Sequence, residues 1–325
     1  MSFASVKRPH DREHGAGSKP AVGPVIETQG LSRRFGRRRG ITDVTVAVDR
    51  GEVFGFLGPN GAGKSTTIRL LLGLYRATAG RAALFGLDPR QHSAQIHERV
   101  GYLPGELALF PRLTGRQVLD RFARIRGHID HRYRDELVDR FGVELDRPVR
   151  TLSKGNVQKI GLLLAFAHRP ELLILDEPTS GLDPLLQDEF AQLISETAHE
   201  GRTVFLSSHD LDEVQRLVDR LAIIKDGRIV VTDTVEHLRA SAPKTVEFRF
   251  AHPVDPGRLQ CLDGVQVLST DTTRVRLSVA GPIGPLLQVA VALEPVDMTA
   301  RPAELEELFL GYYRTDSAKA PSHGR

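Results

Sequence analysis

Residues 52–74 read EVFGFLGPNGAGKSTTIRLLLGL, and the fold follows from them. Residues 52–57 are a short apolar run, long enough for a buried strand. Gly58, Gly61 and Gly63 then permit backbone geometry that a Cβ would resist. Lys64, Ser65 and Thr66 open a helix. Its apolar residues Ile68, Leu70, Leu71, Leu72 and Leu74 cover most of its surface, which predicts a largely buried helix.

The segment from Gly58 to Ser65 fits G-x-x-x-x-G-K-[ST], the Walker A phosphate loop. Gly58, Pro59, Asn60, Gly61, Ala62 and Gly63 form the loop, whose backbone N–H groups would curl around an anion at a helix N-terminus. Lys64 is expected to reach the β- and γ-phosphates, and Ser65 to ligate Mg²⁺, with Thr66 beside them.

Outward from this stretch, strands alternate with helical patterns, which argues an α/β fold on a mainly parallel sheet. Residues 24–31 and 41–48 read as strands. Arg33, Arg34, Arg37, Arg38 and Arg39 surround Phe35 in the pattern of a solvated hairpin loop. Thr114 with Gln117 makes a capping box for a helix to about Arg126. A second helix is expected over 131–141 and a third after Ser153, an N-cap; together they form a helical insertion. Residues 171–175 (ELLIL) are an apolar strand closed by Asp176 and Glu177. Asp226-Gly227 joins two strands as a hairpin. After a linker at 240–244 the pattern restarts as a small α+β unit. Its last helix, 303–313, carries Leu305, Leu308 and Phe309 on one face.

Composition bounds the reading. The chain has 325 residues, 40% hydrophobic and 26% charged, which suits a globular protein with one large and one small domain. A net charge of +3 is too weak to argue for nucleic acid. One cysteine, Cys261, excludes a disulfide framework and a Cys-based zinc site, and it suits a reducing cytosol. No run approaches 18 apolar residues, so any membrane role is expected to need a partner.

Asp176-Glu177 at a strand end is what a Walker B motif requires. Asp176 would hold Mg²⁺, and Glu177, one residue closer to the γ-phosphate, would orient or deprotonate water. With these pieces the chain resembles the ATP-binding cassette family, the nucleotide-binding subunits of ABC transporters. The resemblance covers residues 25–240. Leu152, Ser153, Lys154, Gly155 and Asn156 look like the family signature, usually LSGGQ. Asp183 in SGLD looks like its D-loop, and His209 like its switch histidine.

The resemblance implies a P-loop NTPase cassette: a RecA-like parallel-sheet core, an antiparallel β subdomain and a helical subdomain (about 105–170) within residues 24–240. A C-terminal α+β domain over 245–314 and disordered tails at 1–23 and 315–325 complete the expected organisation. It implies ATP and Mg²⁺ as ligands, with Phe35 stacked on adenine. Two cassettes would face head to tail, so that Ser153, Lys154, Gly155 and Asn156 bind the γ-phosphate on the partner. Glu177 and His209 would be catalytic, and Asp183 would communicate between protomers. The partners implied are a second cassette and a separate integral-membrane subunit, with the chain peripheral at the inner face of the membrane and no nucleic acid bound. The C-terminal extension resembles exporter subunits of the drug-export and antibiotic-resistance type. Gly105 and Glu106 stand where the family commonly has a Q-loop glutamine. The alternatives are a soluble ABC ATPase acting on ribosomes or nucleic acid, and a regulatory cassette that binds ATP without turnover.

Overall fold

The computed structural model describes residues 23–301 apart from 37, 128 and 242. Strands β1 (Ile26–Phe35) and β2 (Arg38–Val48) form a hairpin that closes at Phe35 and Arg38. Both strands run further toward the arginine-rich turn than the sequence predicts.

Strand β3 (Val53–Leu57) is buried along its whole length and leads into the glycine loop and helix α1 (Lys64–Leu71). Gly73, at φ 71°, turns the chain away after α1. Leu74 therefore leaves the helix and is 56% exposed, against the expectation that it joins the buried face. Strand β4 (Ala79–Leu84) returns to β1, giving an antiparallel sheet of order β2-β1-β4.

Helix α2 (Ser93–Arg99), which sequence patterning did not reveal, precedes β5 (Val100–Leu103). The helical insertion follows as α3 (Gly115–Arg126), α4 (His131–Phe141) and α5 (Lys154–Phe166). Each start is fixed locally. Thr114 and Gln117 make the reciprocal capping box, and Asp130 and Ser153 cap the next two helices through the backbone N–H of Tyr133 and Asn156.

The chain then runs through β6 (Leu172–Asp176), α6 (Pro184–His199), β7 (Thr203–Ser208), α7 (Leu211–Leu217), β8 (Arg220–Lys225) and β9 (Arg228–Thr234). The central sheet has the order β5-β6-β7-β3-β8-β9. All its neighbours are parallel except β8 and β9. That pair is joined by Asp226 (φ 49°) and Gly227 (φ 76°), the two left-handed residues of a tight hairpin turn.

Successive residues of β3, β6, β7 and β8 face opposite cores, as period-two alternation requires. Val53, Leu175 and Leu206 pack on Phe166, Phe190 and Val214 of α5, α6 and α7. Phe54, Ile174 and Phe205 pack on Ile68 and Leu71 of α1 and on the antiparallel sheet. The central sheet is thus covered on both faces, and its strand ends carry the glycine loop, Asp176 and Ser208 to one edge.

The expected linker at 240–244 is largely structured: helix α8 (Val235–Ser241) occupies its start and β10 (Lys244–Phe250) begins at its end. Helix α9 (Gly257–Gln260), β11 (Val265–Asp271), β12 (Arg274–Val279), α10 (Gly284–Val291) and β13 (Pro295–Arg301) follow. They form an antiparallel sheet, β11-β12-β10-β13, with its own core around Phe248, Leu277 and Leu286. The helix expected at 303–313, residues 1–22 of the tail expected at 1–23 and the whole tail expected at 315–325 lie outside the described residues. Among the described residues, no helix is long and apolar enough to cross a membrane.

Candidate nucleotide-binding site

The loop between β3 and α1 floors a cavity of about 790 Å³. Gly63 is the N-cap of α1 at φ 116°, and a Cβ there would lie 2.6 Å from Ile41. No side chain caps α1, so its first N–H groups are left for another acceptor. Gly61, at φ 81°, has open space on the side where a Cβ would stand.

Lys64 is 5% exposed, and its ammonium donates to Gly58 O at 2.6 Å. It also stands 3.1 Å from Glu177 Oε1. That oxygen has no aligned hydrogen bond, so the Lys64 contact is ionic only. His209 Nδ1 lies 2.7 Å from Glu177 Oε2; beside a carboxylate it must be the donor. Lys64, Glu177 and His209 therefore form one chain across the cavity.

Asp176 is buried at the end of β6, where the Ser207 hydroxyl donates to it. Ser65, Thr66, Asp176 and Glu177 line the same cavity. The fit to a nucleotide triphosphate with a divalent cation rests on three features. They are the uncapped helix start, a buried ammonium facing it, and an all-oxygen donor set of carboxylate and hydroxyl. No group of three or more His, Cys, Asp or Glu gathers among the described residues, so a cation here takes few protein ligands. Magnesium suits that, because it keeps phosphate and water oxygens.

Phe35 is 38% exposed at the mouth of the cavity, edge-on to Tyr75 and under the Arg33 guanidinium. Gly105 lies against Asp176: a Cβ there would stand 3.4 Å from its carboxylate. Glu106 lines the cavity as well. Burial and the nearby Asp176 charge push the Tyr102 hydroxyl above its ordinary pKa, while Arg69 opposes them.

The signature residues fall at the N-terminus of α5, outside this cavity. Ser153 caps the helix and Lys154 is exposed. Gly155 packs so closely on Gly181 that a Cβ would meet its carbonyl at 2.8 Å. Asn156 is turned inward instead of toward a ligand. Its amide accepts from the Glu144 N–H and donates to the Glu144 carbonyl, both at 2.8 Å. Asp183 caps α6, accepting from the Leu186 N–H at 3.1 Å. Sequence patterning missed Ser207 and Gln158, which hold Asp176 and the Glu177–Pro178 backbone. Nothing local marks either residue.

Residues 41–180 match the family described as ABC transporter. The bacitracin transport ATP-binding protein BcrA of Bacillus licheniformis is 37% identical over 230 residues, covering 70% of this chain and 75% of that protein. The daunorubicin/doxorubicin resistance ATP-binding protein DrrA of Streptomyces peucetius is 35% identical over 227 residues, covering 68% and 69%. A solved ATP binding subunit of an ABC transporter superposes with a TM-score of 0.62 at 30% identity, over 66% of this chain and 92% of that one. The chain belongs to the ABC transporter family, among its ATP-binding subunits. Its enzymatic class is that of the cassette ATPases.

Proposed function

We propose that this chain hydrolyses ATP to energise export of a small molecule, such as a drug or antibiotic, through a separate membrane subunit. The observation that carries the hydrolytic half is Glu177 Oε1. That buried oxygen has no aligned donor, with Lys64 beside it and His209 on the other oxygen of the same carboxylate, and is an acceptor for a water proton.

In this reading the triphosphate lies along the N-terminus of α1. Lys64 leaves Gly58 O for the β- and γ-phosphates, which frees Glu177 to orient and deprotonate water. His209 donates to Glu177 in this structure and steadies the γ-phosphate once ATP is bound. Ser65 and Asp176 would hold Mg²⁺, which when bound offsets charge on the phosphate oxygens. Phe35 offers adenine a π-face. Ser153, Lys154 and Gly155 cover ATP bound to a second cassette, where the α5 N-terminus favours an anion. Asp183, beside Gly181, sits between the two sites.

The export half rests on the relatives. BcrA is named for bacitracin transport and DrrA for daunorubicin and doxorubicin resistance. The exposed Phe110, stacked on Arg121, and the exposed Ile125 offer apolar contacts to cytoplasmic helices of a membrane subunit. The chain would then work in the cytoplasm, held at the membrane by that subunit.

Sedimentation of Glu177→Gln with and without ATP tests the paired-cassette reading: ATP should convert monomer to dimer, and a persistent monomer contradicts it. For export, co-expression with the membrane subunit should raise the tolerated dose of a cytotoxic compound, and Lys64→Ala should abolish the gain. Tolerance unchanged by Lys64→Ala contradicts ATP-driven export.

A further inference from the structure

Glu177 has an unusual backbone. Its φ is 51°, a left-handed conformation that a residue with a Cβ holds only when its surroundings impose it. From the sheet side, the Glu177 N–H donates to Ser207 O on β7 at 3.1 Å. From the other side comes Gln158 of α5. Its amide nitrogen donates to Pro178 O at 3.0 Å and lies 3.5 Å from Glu177 O. Gln158 is 5% exposed, and the shorter of its two bonds is the firm one.

The helix that carries Gln158 is the one whose N-terminus bears Ser153, Lys154 and Gly155. Two further contacts stiffen that link. Asn156 grips the Glu144 backbone, and Gly155 lies against Gly181. A shift of α5 along or about its axis is therefore delivered to the peptide that aims the Glu177 carboxylate.

We infer that Gln158 is a positioning residue that makes water activation by Glu177 depend on what occupies the signature end of α5. It touches no nucleotide itself. The link rests on the reading that the signature end covers ATP held by a second cassette. The device couples the two sites within one chain: ATP seated on α5 from the partner side sets the glutamate of the chain's own site.

The test uses the full chain with Gln158→Met, which keeps the length and removes the donor. Gln158→Asn, which keeps the amide but withdraws it by one methylene, guards against a folding failure of the first variant. Both should lose about tenfold or more in kcat with KM moved by less than about threefold. Cooperativity in ATP concentration should fall toward a Hill coefficient of about 1. In a Glu177→Gln background, Gln158→Met should still dimerise with ATP.

A kcat and Hill coefficient like wild type overturn the inference. So does a fall in kcat matched by equal losses in ATP affinity and melting temperature, the mark of a merely structural hydrogen bond. If Glu177→Gln alone fails to dimerise with ATP, the paired-cassette reading fails and the link falls with it. Intact dimerisation with unchanged kcat removes the link alone.

Discussion

The Lys64 ammonium and the Glu177 carboxylate stand 3.1 Å apart, the one opening α1 and the other just past the end of β6. Under the proposed function, the cation that would take phosphate is here paired with the acid that would activate water. ATP must separate them, and that cost is built into the binding affinity. Glu177→Gln removes the competing charge and a repulsion with the γ-phosphate. ATP affinity should rise several-fold, about 1 kcal/mol, while turnover is lost. Equilibrium titration with a fluorescent ATP analogue reads the change, and weaker binding contradicts it.

Asn156 ties the start of α5 to the Glu144 backbone. Asn156→Ala strands both polar groups of the part-buried Glu144 backbone and should cost about 1–2 kcal/mol of stability. Denaturant unfolding measures it. A loss below about 0.5 kcal/mol would mean that water replaces the amide.

Gly155 is a packing constraint. Gly155→Ala places a methyl 2.8 Å from the Gly181 carbonyl, so the signature and the loop before Asp183 must part. The expected outcome is about 1–3 kcal/mol lost in stability. Turnover should fall by about tenfold or more, with ATP affinity of the monomer unchanged. Full turnover by the variant contradicts this placement.

His168 introduces a pH dependence. Burial first, and the neighbouring Arg126 second, hold its pKa down to about 4 from 6.5. Its Nε2 is 3.2 Å from Val100 O, so the neutral ring donates there. The unfolded chain binds the proton more readily. The stability is therefore full above about pH 6.5 and is lost as pH falls toward about 4. The loss is at most about 3 kcal/mol, and less once solvent screening of the partly exposed ring is allowed for. His168→Gln keeps a donor and does not titrate, so the gap in melting temperature between it and wild type should shift in its favour between pH 6.5 and 4. A constant gap contradicts the assignment.

Local chemistry made much of the molecule legible from sequence. The glycine loop, the Thr114–Gln117 box, the cap at Ser153 and the Asp226-Gly227 hairpin are each specified within a few residues, and each is found. Leu74 departs from the helical pattern because Gly73 turns the chain before it. Helices α2 and α8 are short, seven residues each, and offer too little periodicity to show. The inward turn of Asn156 and the reach of Gln158 to Pro178 depend on contacts 12 and 20 residues away along the chain, which no local pattern encodes. The same holds for Ser207 on Asp176, 31 residues apart. Motifs mark the reacting groups, and tertiary contacts decide which neighbours hold them in place.

Steady-state ATP hydrolysis by the full chain beside Lys64→Ala and Glu177→Gln, with nucleotide binding measured on the same samples, tests most directly whether Glu177 activates water. The wild type should turn ATP over and neither variant should, with Glu177→Gln still holding ATP. Turnover by Glu177→Gln at the wild-type rate would contradict that role, because the carboxylate between Lys64 and His209 would then not be the group that activates water.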